Sequence, residues 1–151
     1  QIEQGTLVET PQDHAAATFA PTLDKQEGAI DWNQTAEQIA CHVRAMQPWP
    51  SPFSFLLQSG HEPLRLLILD VEKLSKEALE LLEIEPQSRE STPGTVVFSG
   101  TKRVVLCTGD GLLEIRQIQP QGKRAMEISQ FLCGKQIRPG DVFGNPPPES
   151  D

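Results

Sequence analysis

Apolar residues recur at helical spacing near the start of this chain and fall into short strips almost everywhere after it. Ala36, Ile39, Ala40, Val43 and Met46 lie on one face of a 3.6-residue repeat. Thr35 and Gln38 stand at capping-box spacing before them, with Asn33 as an alternative cap. Pro48 stops this helix, and Pro50 and Pro52 hold the following chain extended. Strands are then expected at Phe53 to Leu57, Leu64 to Val71, Gly94 to Ser99, Arg103 to Cys107 and Leu112 to Ile118. Ser59-Gly60, Gly100-Thr101 and Gly109-Asp110-Gly111 supply the turns. Glu127 to Cys133 reads as a short helix closed by Gly134, and Ile137 to Phe143 brings the chain back. The pattern predicts a mainly β fold with α (α+β): five or six short strands closed as a small barrel and preceded by one amphipathic helix.

Three stretches fall outside this pattern. Residues 1–28 have little apolar periodicity and read as an interdomain linker, leaving residues 29–144 as the folded domain. Residues 145–151, with three consecutive prolines, read as a disordered tail. Lys73 to Glu90 reads as a decorated barrel loop with an acidic outer face, in which Leu74, Ala78, Leu81 and Leu82 make an amphipathic turn or two of helix.

At 151 residues the chain can bury one core. Its most apolar run, Leu64 to Val71, is interrupted by Arg65 and Asp70 and is far short of a membrane span. No basic-then-apolar signal segment opens it. Cys41, Cys107 and Cys133 lack CxxC spacing and histidine partners, so three mostly buried thiols in a reducing cytoplasm are expected. The net charge of −8 argues against a nucleic-acid partner. The distribution of that charge reopens the question. Residues 1–31 carry six acids against Lys25, whereas residues 102–138 carry seven cations against Asp110, Glu114 and Glu127. A basic half on an acidic domain can hold a phosphate backbone locally.

The residues that invite catalytic readings have plainer ones. His14, which follows Asp13, lies in the linker; His42 adjoins the helix's apolar face; His61 has no nucleophile beside it. Cys41 and Cys107 show no neighbouring cation that would activate a thiol. Asp110 between two glycines is a hairpin turn, since one carboxylate does not make a metal site. Trp32 and Trp49 are read as rings that wedge the helix onto the barrel, with Pro48 and Pro50 shaping the contact and base stacking as the alternative.

The most distinctive run is Gln119-Pro120-x-Gly122-Lys123-x-x-Met126, a turn that fixes Lys123 and Arg124 at a sheet rim. Upstream come Ala20-Pro21, Ile30-Asp31-Trp32 and Pro48-Trp49-Pro50; around it lie Pro93-Gly94-Thr95, Cys107-Thr108-Gly109-Asp110-Gly111 and Pro139-Gly140-Asp141. In this order, from Ala17 to Val142, these elements resemble the C-terminal domain of the methionyl-tRNA formyltransferases. Related domains occur in sugar-nucleotide formyltransferases and formyltetrahydrofolate dehydrogenases, and the glycine-lysine turn favours the first family.

The resemblance implies an OB-like Greek-key barrel. It also implies a parent enzyme that moves a formyl group from 10-formyltetrahydrofolate to the amino group of initiator methionyl-tRNA. Its catalytic Asn, His and Asp would lie on an N-terminal Rossmann-like domain, so neither catalytic residues nor a cofactor site is expected here. A chain opening on Gln1 fits a piece cut from the linker. The cations expected to face tRNA are Lys25, Arg44, Lys123, Arg124, Lys135 and Arg138. Lys25 resembles a linker lysine of the family, while Thr22 stands where some relatives carry a cation. The alternative is an accessory packing domain of a formyltransferase acting on a sugar nucleotide or folate.

Overall fold

A computed structural model describes residues 11–84 and 90–145. The linker reading of residues 1–10 and the tail reading of residues 146–151 lie outside them. Helix α1 (Ala36–Ala45) is followed by strands β1 (Phe53–Leu57) and β2 (Leu64–Lys73), helix α2 (Lys76–Leu81) and strands β3 (Val96–Ser99), β4 (Val104–Cys107) and β5 (Leu112–Pro120). Strand β6 (Met126–Glu127), helix α3 (Ile128–Gly134) and strand β7 (Val142–Gly144) complete the described chain. The strands form one antiparallel sheet in the order β3-β4-β5-β2-β1-β7, with β6 pairing β5 beside the path. A bridge between Thr95 and Val142 links the two edge regions and nearly closes the barrel. The OB-like barrel with one leading helix is therefore present.

Alternation decides which side chains fill the barrel. Leu56, Leu66, Ile68, Val104, Leu106, Leu113, Ile115 and Phe143 point inward and are 0–1% exposed. Between Ile68 and Val71 the β2–β5 register slips, so inward residues resume on both strands after an irregularity. Ala36, Ile39 and Val43 of α1 join this core. The helix starts where expected: Thr35 Oγ1 accepts from the Gln38 amide at 3.2 Å, and Gln38 Oε1 accepts from the Thr35 amide at 3.0 Å. The Ala36 amide donates to the Asp110 carbonyl at 2.9 Å and so pins the helix start to the β4–β5 turn. That turn requires glycine at 109, because any Cβ there would collide with the Asn33 carbonyl oxygen.

The inserted segment after β2 covers part of the outer surface. Leu74 and Ile84 pack with Val105, Cys107 and Leu112 as a second, smaller core, with Ala78, Leu79 and Leu82 at its margin. Leu81 differs from expectation: it is 84% exposed, because Leu74, Ala78 and Leu82 make the inward row at spacing four and Leu81 falls beside it. Ser75 caps α2, and the Glu77 backbone amide, with the Ser75 hydroxyl second, holds the Glu77 carboxyl below its usual range.

The two tryptophans separate. Trp32 is 4% exposed, its Nε1 donating to Ser54 Oγ at 3.0 Å and its ring meeting Phe143 edge-on at 6.1 Å. Trp49 is 50% exposed, contrary to the packing expected of it. Here Pro50 takes the buried position and Pro48 is exposed, both after cis peptide bonds. The Ser51 amide closes the turn on the Met46 carbonyl at 2.9 Å, which places the Trp49 ring at the surface. Cys41 and Cys133 are exposed as well, and only Cys107 of the three thiols is buried.

Candidate nucleic-acid interface

Strand register decides which turns share an end of the barrel. Leu66 pairs with Pro120, Phe55 with Arg65, and Leu57 with Val142. The β1–β2 turn, the β5–β6 turn and the α3–β7 loop therefore emerge together. Gln58 Nε2 ties the first of these to the loop, donating to the Gln136 carbonyl at 3.0 Å and to Asp141 Oδ2 at 2.6 Å. Ser99 Oγ donates to the Ile137 carbonyl at 2.8 Å and brings the β3–β4 turn to the same end. At the other end, Lys73 pairs with Leu113 and Cys107 with Leu112. The β4–β5 turn, the start of α1 and the α2 segment gather there.

This topology sorts the charge. The first end, residues 58–65, 100–103, 120–125 and 134–141, holds seven cations against Glu62 and Asp141. The opposite end, residues 31–37, 72–84 and 108–111, holds seven acids against Lys73 and Lys76. A chain of net charge −8 thus presents one basic end.

Not every cation there is available. Glu114, 1% exposed on the outer side of β5, has Arg103 Nε 3.1 Å from Oε1 and Arg116 Nη2 3.7 Å from Oε2. Arg116 also pairs with Glu72, which raises its already high pKa further. These two arginines are taken up by two carboxylates, Glu114 and Glu72. Lys102, Lys123, Arg124, Lys135 and Arg138 enter no ion pair among the described residues.

The expected cations divide into four places. Lys123 and Arg124 are exposed on the β5–β6 turn, where the Lys123 amide donates to the Pro120 carbonyl at 3.0 Å and Gln119 Nε2 donates to the Lys123 carbonyl at 2.9 Å. Lys135 and Arg138 line a cleft of about 420 Å³ beside His61. Lys25 lies on the flank, in a 3-10 turn over a depression it shares with Phe53, Phe55 and Arg65. Arg44 stays apart on α1, with Nη2 3.3 Å from Cys41 Sγ. A cation does therefore neighbour Cys41, contrary to expectation, and the i,i+3 helical spacing was its sequence signal.

Sequence reasoning gave Arg65 and His61 no place among the RNA-facing residues. Arg65 stands opposite Phe55 in the β1–β2 register, its guanidinium carbon 4.2 Å above the centre of the Phe53 ring. The alternation of β2, which puts residues 65, 67 and 69 outward, was the available signal. His14 is exposed and His42 half-buried. Burial pushes the Cys107 thiol pKa up, as befits an inert core cysteine. Among the described residues no cluster of metal-ligating side chains occurs, and no helix is long and apolar enough to cross a membrane.

Residues 22–136 match the family model described as the formyl transferase C-terminal domain. The chain belongs to that family. It is 37% identical over 136 residues to a methionyl-tRNA formyltransferase of Desulfotalea psychrophila, covering 90% of this chain and 37% of the relative. Against the Streptococcus pyogenes enzyme of the same name the identity is 31% over 142 residues, covering 93% and 40%. The chain thus spans about two fifths of the length of these relatives. HypX from Aquifex aeolicus in complex with tetrahydrofolic acid shares the fold, with a TM-score of 0.55 at 19% identity over 87% of this chain and 20% of that protein.

Proposed function

We propose that this domain docks tRNA for a methionyl-tRNA formyltransferase, its basic end gripping the backbone of initiator methionyl-tRNA. The parent's N-terminal Rossmann-like domain would carry the transfer from 10-formyltetrahydrofolate, in the cytoplasm, at the start of protein synthesis. The sorting of charge onto one end of the barrel carries this reading. Phosphate contacts fix position and orientation without reading bases, and an RNA helix offers shape and 2′-OH groups to such a surface. Holding the aminoacyl end near a remote active site supplies part of the effective molarity that a second-order reaction lacks. The acidic end turns the domain in the field of the RNA, so that net negative charge and local docking coexist.

The test is a salt titration of initiator tRNA binding to this chain. Affinity that falls steeply with salt is expected, with a slope near −0.9 per phosphate neutralised on duplex and somewhat less on single strands. No binding at low salt would remove the docking role and leave the accessory packing reading.

A further inference from the structure

The cleft between the β1–β2 turn and the α3–β7 loop does more than add charge. We propose that it is a phosphate subsite, in which Lys135, Arg138 and His61 together hold one phosphate group of the bound RNA. This rests on the docking reading above and names a place within that surface.

Four observations on different groups support it. The cleft measures about 420 Å³, room for a phosphate with its attached ribose. Lys135 and Arg138 enter no ion pair among the described residues, so their charge is available to a ligand. Gln136 Oε1 accepts from Arg138 Nη2 at 2.8 Å, which orients the guanidinium in advance and lowers the entropy lost on binding. The Ser59 carbonyl lies 3.1 Å from His61 Nδ1; a carbonyl can only accept, so Nδ1 carries hydrogen and Nε2 is the nitrogen left for a ligand. When protonated, Nε2 is a further donor to an anion.

Asp141, the one carboxylate lining the cleft, opposes an anion, but it has a structural task. Its Oδ2 accepts from Gln58 Nε2 at 2.6 Å and from the Arg138 amide at 2.9 Å. It thereby holds the two walls at a fixed separation. Lys135 and Arg138 still outnumber it, and protonated His61 would add to the excess. A spread of solvated lysines lacks this construction: here a cross-wall clamp sets the gap and hydrogen bonds orient the Arg138 and His61 side chains.

The experiment compares initiator tRNA binding by the intact chain with that of Lys135→Ala/Arg138→Ala and His61→Ala variants across a salt series. For the double variant the slope of log affinity against log salt should shrink by about one, as one phosphate contact is lost. His61→Ala should weaken binding a few-fold. Chemical shifts of the unsubstituted chain on adding a short phosphorylated RNA hairpin provide a check free of substitutions, and they should move at Gly134 to Asp141. Repeating the comparison with 5′-dephosphorylated tRNA assigns the phosphate. A variant effect that vanishes marks the terminal group and one that persists marks an internal diester; either supports the subsite. Tight wild-type binding with an unchanged slope in the double variant and unmoved loop shifts would overturn the subsite and leave the docking role standing. Absence of wild-type binding would instead overturn the docking role on which it rests.

Discussion

The two ends of this barrel are made from the same alternating strands, yet they carry opposite charge and are built differently. The basic end consists of loops tied to one another by side chains, through Gln58, Ser99 and Asp141. The acidic end is tied by backbone, through the Ala36 amide on Asp110 and the Gly109 amide on Trp32 and Gln34. It is also thickened by α2 and its small core. On the proposed docking role, stability and recognition would fall to different ends.

The boundary between them is the Glu114 cluster, and disrupting it should have the largest effect. Arg103→Ala leaves a buried carboxylate with Arg116 alone at 3.7 Å. We expect a loss of roughly 3 kcal/mol, read as a fall of several degrees in melting temperature. Glu114→Leu removes the charge itself and should cost less. Equal costs would show that packing, not charge, holds the boundary.

Next comes reversal at the basic end. Lys123→Glu with Arg124→Glu should weaken initiator tRNA binding about 10- to 100-fold, or roughly 1.4–2.8 kcal/mol, since each decade is worth about 1.4 kcal/mol. The melting curve should stay unchanged, because both side chains are exposed. Unaltered affinity would place the RNA on another face. The converse change, Glu80→Gln with Asp110→Asn at the acidic end, should shift affinity by no more than about twofold in 0.1 M salt, where the Debye length is about 10 Å. A tenfold gain there would mean that the acidic end also faces RNA, and the contrast would fail.

Much of this was legible beforehand, and the omissions share a cause. The helix could be read because its start and stop are local: Thr35 and Gln38 cap it, and Pro48 follows it. The strands could be read because alternation is local too. Local pattern does not say which way a rigid turn faces, so Trp49 was expected in the interface that Pro50 occupies. Nor does it reveal register. The tally of seven cations in residues 102–138 overstated the free charge, since Arg103 and Arg116 answer Glu114 and its cross-strand partner Glu72. Register likewise gathers four distant turns at one end, which no stretch of sequence displays. The candidate tRNA cations were individually visible, but their grouping was not.

The smallest effect separates the ends without altering a charge. Cys133 lies in the last turn of α3, next to Gly134 and Lys135 at the cleft, whereas Cys41 lies on α1, away from the four basic turns. Both are exposed, and Cys107 is buried with its pKa raised, so an alkylating reagent at neutral pH reaches the first two. Bound tRNA should slow alkylation of Cys133 a few-fold and leave Cys41 unchanged. Cys107 should react only when the chain unfolds, which makes it the internal control for intact structure. Protection of Cys41 instead would move the RNA to the helix side of the barrel, beside Arg44 and the half-exposed Trp49. Equal protection of both would show that RNA covers more than one end. Because Cys133 neighbours the cleft residues, this footprint also reports whether RNA reaches the clamp of Asp141 and Gln58, a question that the loss of Lys123 and Arg124 alone cannot answer.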